Sequence, residues 1–144
     1  MADTSYYKTH VEPFVRAELQ RLHGQPFLSR TLRLPTGGTH EFDAVSDDGS
    51  IVASIKSLSG KTSGGKRPAG KYAACLAELY FLTLVDAPVR MLVLTTPSLH
   101  TMFVRYMEGR LHPGVKIELI VVSPEIQGQI DRIRDVASDE VSPL

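Results

Sequence analysis

The spacing of apolar residues along the chain predicts its first helix and the strands that follow. Apolar positions recur every three or four residues over 5–23, which is typical of an amphipathic helix, and Gly24 and Pro26 end it. Three β-like runs follow at 27–34, 39–46 and 50–57. The turn Asp47-Asp48-Gly49 between the last two runs is typical of a β-hairpin.

The second half of the chain alternates between helical and strand-like patterns. Residues 71–84 are apolar almost all round, as in a buried helix, and 89–96 resemble a central strand covered on both faces. A helix starting at Pro97 and ending near Gly109, a strand over 115–122 and an amphipathic helix around 126–133 come next. The predicted order is α-β-β-β-α-β followed by α-β-α. We therefore expect an α/β fold of the α+β type, with a mixed sheet and helices on both faces.

Composition limits the class of protein. The 144 residues are enough for one domain over 1–144, and 42% hydrophobic with 22% charged residues is ordinary for a globular chain. A lone Cys75 cannot form an internal disulfide, and the chain has neither a signal-peptide pattern nor an apolar run of about 20 residues. These features predict a cytoplasmic protein without membrane contact, ending in a polar tail at 137–144.

Charge is balanced overall but unevenly distributed. Sixteen Lys and Arg residues offset sixteen Asp and Glu residues, which argues against binding nucleic acid by general positive charge. Between Gly49 and Ala77, however, every charged residue is basic: Lys56, Lys61, Lys66, Arg67 and Lys71. The Gly- and Ser-rich segment 57–70 is predicted to be a flexible loop. Its lysines fit either contacts with a nucleic-acid backbone or a solvated surface loop.

The same loop resembles a phosphate-binding P-loop without completing one. Residues 60–67 match GxxxxGK[ST] except that Arg67 stands where the Ser or Thr belongs, and Pro68 follows. The five histidines lack metal-finger spacing. We expect no haem or nucleotide cofactor.

The hairpin carries the residues with the clearest chemical potential. Side chains two apart on a strand share a face. Glu41 and Asp43 therefore point to the same face of the second strand, and Ser54 and Lys56 point to the same face of the third. A carboxylate can hold a divalent metal while an ammonium stabilises negative charge at phosphorus. A surface hairpin with solvated charges shows the same pattern.

Two glutamates lie on faces that the pattern assigns to the core. Glu18 falls within the apolar arc of the first helix, where a carboxylate needs a partner, a metal or a path to water. Glu78 is the only acid on the helix over 71–84. It fits either a structural ion pair or a carboxylate delivered to a site at the sheet.

The αβββαβ order, with Asp43 on the second strand and Ser54-Ile55-Lys56 on the third, resembles the restriction-endonuclease-like PD-(D/E)XK nuclease superfamily. The resemblance covers roughly residues 5–96 and rests on topology and a short motif. It implies a Mg²⁺- or Mn²⁺-dependent nuclease acting on DNA, with one or two ions, Asp43 as metal ligand and Lys56 assisting the attacking water.

This chain departs from the motif at two positions. Phe42 replaces the proline, and Ser54 replaces an acidic metal ligand. The resemblance implies that a glutamate elsewhere supplies the missing carboxylate, and Glu78, Glu18 and Glu41 all stay open for that role. Ser54 would then bind at most through water. If no glutamate reaches Asp43, the chain is an inactive nuclease-fold module that binds nucleic acid or protein. The apolar last strand and final helix fit either a homodimer interface used in DNA binding or the completion of the monomer's own core.

Overall fold

The computed structural model describes residues 5–57 and 69–141, of which 134–141 by their backbone alone. In chain order the elements are a π-helical turn (Tyr7–Val11), α1 (Glu12–His23), β1 (Phe27–Arg33), β2 (Thr39–Ser46), β3 (Ile51–Lys56), α2 (Ala69–Leu84), β4 (Val89–Leu94), α3 (Pro97–Tyr106), β5 (Val115–Leu119) and α4 (Pro124–Val141). The element order matches the prediction. The broad fold class, a mixed α/β protein, is confirmed.

One five-stranded sheet organises the molecule, with the strands side by side in chain order from β1 to β5. β1, β2 and β3 form an antiparallel meander, whereas β3, β4 and β5 run parallel. Parallel neighbours need crossover connections, and α2 and α3 supply them. Because both crossovers advance in the same direction across the sheet, right-handed connections place both helices on the same face.

Two hydrophobic clusters cover the two faces of the sheet. The cluster on the α2/α3 face contains Phe42, Leu92, Leu94, Leu79 and Phe103. The opposite cluster joins α1 and α4 to the sheet; its members include Val11, Val15, Leu19, Ala53, Val93 and Ile130. β4 contributes to both clusters, which confirms the prediction of a central strand covered on both faces.

An irregularity in β2 changes the direction of its side chains. Leu28 pairs with Val45 and Arg30 with Phe42, so two steps along β1 match three along β2. β2 therefore carries a β-bulge at Asp43 and Ala44. As a result Phe42 belongs to the cluster under α2, whereas Ala44 belongs to the cluster under α1. The regular alternation expected for β2 does not hold through Asp43.

Local hydrogen bonds define the ends of these elements. α1 ends at Gly24, whose φ of 74° is left-handed and whose N–H donates to Gln20 O at 2.8 Å. In the β2–β3 turn, Asp48 Oδ1 accepts from Ser46 Oγ at 2.9 Å, from Ser50 N at 3.0 Å and from Ser50 Oγ at 2.7 Å. These bonds account for the tight hairpin that the Asp-Gly sequence predicted.

Several predicted boundaries differ from the structure, among them the end of β4 at Leu94, predicted at 96, and the end of α3 at Tyr106, predicted near Gly109. α2 begins at Ala69, inside the segment predicted as loop over 57–70, and β5 ends at Leu119, short of the predicted 122. α4 continues to Val141, through most of the predicted polar tail at 137–144. Lys61, Lys66 and Arg67 lie outside the described residues. In the part of the chain that the structure describes, no helix is long and apolar enough to cross a membrane.

Candidate functional site

Asp43 occupies the point where β2 and β3 separate. The two strands pair at Ala44 with Ala53 and at Val45 with Val52. Beyond these pairs, the N–H of Ile55 donates to Asp43 Oδ2 at 2.7 Å. A side-chain carboxylate therefore takes the place of a backbone carbonyl in the ladder. Because Ile55 is buried, this bond satisfies an amide that would otherwise have no access to water.

α1 brings a carboxylate and a guanidinium to the same point. Arg16 Nη1 donates to the backbone oxygen of Asp43 at 2.9 Å and lies 3.6 Å from Glu12 Oε1. The side chains of Glu12 and Arg16 are 18% and 20% exposed, so both are mostly removed from water. The pair follows the i,i+4 spacing of a helix, which holds Glu12 on the flank of α1 nearest β2.

Burial and neighbouring charges raise the pKa of both carboxyls. For Asp43, burial is the largest cause and Glu78 adds to it, whereas the Ile55 N–H, Lys56 and Arg16 act in the opposite direction. The pKa of Glu12 is raised first by burial and then by the charge of Asp43. Repulsion between nearby carboxylates favours a site that gains a proton or a cation.

On the opposite face, α2 carries Glu78, which is paired with a histidine. His40 Nε2 donates to Glu78 Oε1 at 3.2 Å, and the two side chains are 19% and 17% exposed. The His40 ring stacks on Phe81 with centroids 3.8 Å apart and meets Phe42 edge to face at 4.8 Å. His40 thus holds Glu78 in a defined orientation on the α2 face of the sheet.

β3 contributes Lys56 and Ser54 to the α2 face. Lys56 is partly buried and its charge acts on the pKa values of Asp43 and Cys75. Ser54 is fully buried, and its hydroxyl has no hydrogen-bond partner among the described residues. Lys56 thus lowers the pKa of Asp43 through its charge, while Ser54 lies beneath the surface with an unsatisfied polar atom.

The three glutamates proposed to complete the site have different surroundings in the structure. Glu78 lies on the α2 face, near enough to Asp43 for its charge to raise the pKa of Asp43. Glu18 instead forms a 2.9 Å ion pair with Arg21; the two side chains are 34% and 67% exposed, so Glu18 is paired at the surface of the helix and not in the core. Glu41 is exposed, accepts from Ser29 Oγ at 3.2 Å and acts on the pKa of Glu12.

The sequence reasoning missed Glu12, Arg16 and the pairing of His40 with Glu78. The only sequence sign of the first two was their i,i+4 spacing near the start of α1. The pairing of His40 had no local sign, because its partner lies 38 positions away.

The described residues offer a hard divalent cation only one or two carboxylate ligands. Mg²⁺ is commonly held through one or two carboxylates and several waters. Asp43 with Glu12 or Glu78 offers such carboxylates. Among the described residues, however, no group of three or more His, Cys, Asp or Glu side chains is arranged to hold a metal ion. The unsatisfied Ser54 hydroxyl is compatible with a bound water at the position where the motif has an acid.

Comparisons with known proteins add no relative. No protein-family description, curated protein or solved structure matches the chain.

Proposed function

We propose that the chain is a metal-dependent nuclease of the restriction-endonuclease-like PD-(D/E)XK type that hydrolyses phosphodiester bonds in DNA. The observation that carries the proposal is the position of Asp43. Its carboxylate lies at the split between β2 and β3, bonded to the Ile55 N–H, with Lys56 as the next residue on β3.

The topology around the split supports the same proposal. A helix, a three-stranded meander, a second helix and a parallel strand follow in the order αβββαβ. α1 packs on one face of the sheet and α2 on the other. A carboxylate at the opening between β2 and β3 is therefore accessible to acidic groups from both helices.

The residues of this chain would divide the work as follows. Asp43, with Glu12 from α1 or Glu78 from α2, would hold Mg²⁺ or Mn²⁺, which when bound supplies Lewis-acid activation of the phosphodiester. Lys56 would orient the attacking water and stabilise the negative charge that develops on phosphorus. Arg16 would fix the backbone at Asp43, and His40 would fix Glu78. Ser54 would act only through a bound water, because its hydroxyl is buried.

DNA would approach from the side of the basic segment. Lys56 and Lys71 flank the segment that contains Lys61, Lys66 and Arg67. Phosphate contacts by such residues position a duplex without reading its sequence. A basic segment directly after the motif lysine fits a nuclease better than a site for a small neutral substrate.

One observation favours a second candidate, a catalytically inactive nuclease-fold module that binds nucleic acid or protein. The acid of the motif is absent at Ser54, and the carboxylate best placed to replace it, Glu78, is already paired with His40. In that case the carboxylates are structural, and the fold provides only a binding surface.

The test is plasmid nicking and linear-duplex cleavage in Mg²⁺ or Mn²⁺. We expect metal-dependent cleavage that EDTA abolishes and that falls about a hundredfold or more in Asp43→Asn and Lys56→Ala. Glu12→Gln and Glu78→Gln identify the second carboxylate, because the variant that loses more cleavage activity has lost the metal-holding group. Asp86→Asn, a change at an exposed acid outside the site, is the matched control.

The outcomes distinguish the two candidates. Cleavage that survives both Asp43→Asn and Lys56→Ala rejects the nuclease site. Absence of cleavage, together with DNA binding that weakens when Lys66 and Arg67 are replaced by alanine, supports the inactive module.

A further inference from the structure

The outer edge of β5 has unpaired backbone groups. β5 is the last strand of the sheet, and no described residue pairs with its outer side. Ile120 N–H donates to Leu94 O at 3.0 Å, so the even-numbered residues of this strand bond to β4. Since successive residues of a strand point their N–H and C=O groups to opposite sides, Ile117 and Leu119 direct theirs outward. Such an edge is a template for another strand.

The charges on this edge are self-complementary. Lys116 and Glu118 are both exposed, lie two positions apart and therefore share a face of the sheet. If two β5 strands pair antiparallel about Ile117, Lys116 of each copy lies opposite Glu118 of the other. These would be non-hydrogen-bonded pairs, in which the Cα atoms are about 4.5 Å apart and side chains are closest. Opposite charges in such pairs stabilise a sheet.

Apolar surface flanks the edge on both faces. On the α3 side, a groove of about 570 Å³ is lined by Val104, Leu111 and Ile117, and Val104 is 42% exposed. On the α1 side, a groove of about 380 Å³ is lined by Leu22 together with Lys116 and Glu118, and Leu22 is 57% exposed. Exposed apolar side chains beside an open strand are typical of a surface that another chain covers.

We infer that β5 is a homodimer interface, in which two copies join their sheets by antiparallel pairing centred on Ile117. The two copies of Ile117 exchange hydrogen bonds, and two Lys116–Glu118 pairs select this register. A charged edge often protects a strand from pairing, because like charges repel. Here a parallel, in-register partner meets like charges, whereas an antiparallel copy meets opposite ones. The pattern therefore permits one self-pairing and disfavours the other.

The inference is independent of the proposed nuclease function, and its test needs no DNA. Sedimentation velocity over the micromolar range measures the dimer dissociation constant. We expect Lys116→Glu and Glu118→Lys each to raise this constant about tenfold or more, because each creates two like-charged pairs. The double variant Lys116→Glu/Glu118→Lys restores the opposite pairs and the wild-type constant. An equimolar mixture of the two single variants also regains dimer, as a heterodimer.

Because both side chains are exposed, these variants retain the fold, which circular dichroism verifies. Asp86→Lys, a reversal at an exposed position far along the chain from β5, is the control and leaves the dimer unchanged. A wild-type chain that is monomeric throughout the micromolar range overturns the inference. So does a dimer that is indifferent to the single reversals, or one that the double reversal does not restore.

Discussion

Replacing Asp43 separates its structural role from its chemical one. Asp43→Asn keeps an oxygen that can accept the Ile55 N–H, now 2.7 Å from Oδ2, and removes the negative charge. Asp43→Ala removes both. Burial, the largest cause, and Glu78 raise the pKa of Asp43, so the charged form is less favourable in the folded protein than in the unfolded chain. We therefore expect Asp43→Asn to be at least as stable as the wild type at neutral pH, and Asp43→Ala to be less stable.

The magnitude follows from the fate of one buried amide. Ile55 is 6% exposed, so its N–H cannot turn to bulk water when the acceptor is lost. A buried donor without a partner costs about 1–3 kcal/mol in the free energy of unfolding. For a chain of 144 residues, 1 kcal/mol corresponds to about 3 °C in Tm. Asp43→Ala should therefore melt about 3–9 °C below Asp43→Asn.

Urea unfolding and thermal melting followed by circular dichroism measure this difference directly. Under the proposed nuclease function, cleavage assays on the same samples should show a loss of about a hundredfold or more in both variants, since both lack the carboxylate. The reasoning fails if Asp43→Ala matches Asp43→Asn in stability, because the Ile55 N–H would then not depend on this side chain. It also fails if Asp43→Asn is clearly less stable than the wild type, because the charge would then stabilise the fold.

Three further predictions concern the residues around the site. His40→Ala should lower the free energy of unfolding by about 1–2 kcal/mol in urea titrations, since Glu78 loses its donor and Phe81 its stacking partner; His40→Gln, which keeps a donor, should recover part of the loss. Burial raises the pKa of Cys75 to about 11, so the thiol should be inert to Ellman's reagent at pH 8 until urea unfolds the chain, and rapid labelling of the native protein would contradict this. The hydrogen bonds from Ser50 and then Ser46 lower the pKa of Asp48 in the folded state. The stability that Asp48 adds is therefore present above its ordinary pKa of 3.8 and is lost as the pH falls below that value. The Tm difference between the wild type and Asp48→Ala should narrow in acid, and a difference that stays constant would count against this reasoning.

Local signals account for the part of the fold that the sequence predicted. β2 matches its predicted range, Thr39–Ser46, because its limits depend on turn residues that lie beside it. The bulge at Asp43 and Ala44 left no such sign. The bulge is defined by the pairing of β2 with β1, which is a tertiary relation. The alternation of polar and apolar residues along β2 does not show how many residues of β1 lie opposite it.

The choice of glutamate on the first helix shows the same limit. The fully buried residues of this helix are Val11, Val15 and Leu19. On an ideal helix, Glu12 and Glu18 lie about 60° on either side of that stripe. Periodicity cannot distinguish the two flanks, and the contact of Arg16 with Asp43 shows which flank faces β2. The apolar spacing over 5–23, on which the prediction of Glu18 rests, also includes Leu22, and Leu22 is 57% exposed.

The bond between Asp43 and the Ile55 amide also affects how related sequences should be interpreted. A chain that has lost catalysis still needs an acceptor at this position to complete its sheet, and either Asp or Asn supplies one. An aspartate retained here is consequently weak evidence that a relative is an enzyme. Under the proposed nuclease function, exchange between Asp and Asn at this position, together with loss of Lys56 and Glu12, would mark related chains that keep the sheet and have lost catalysis.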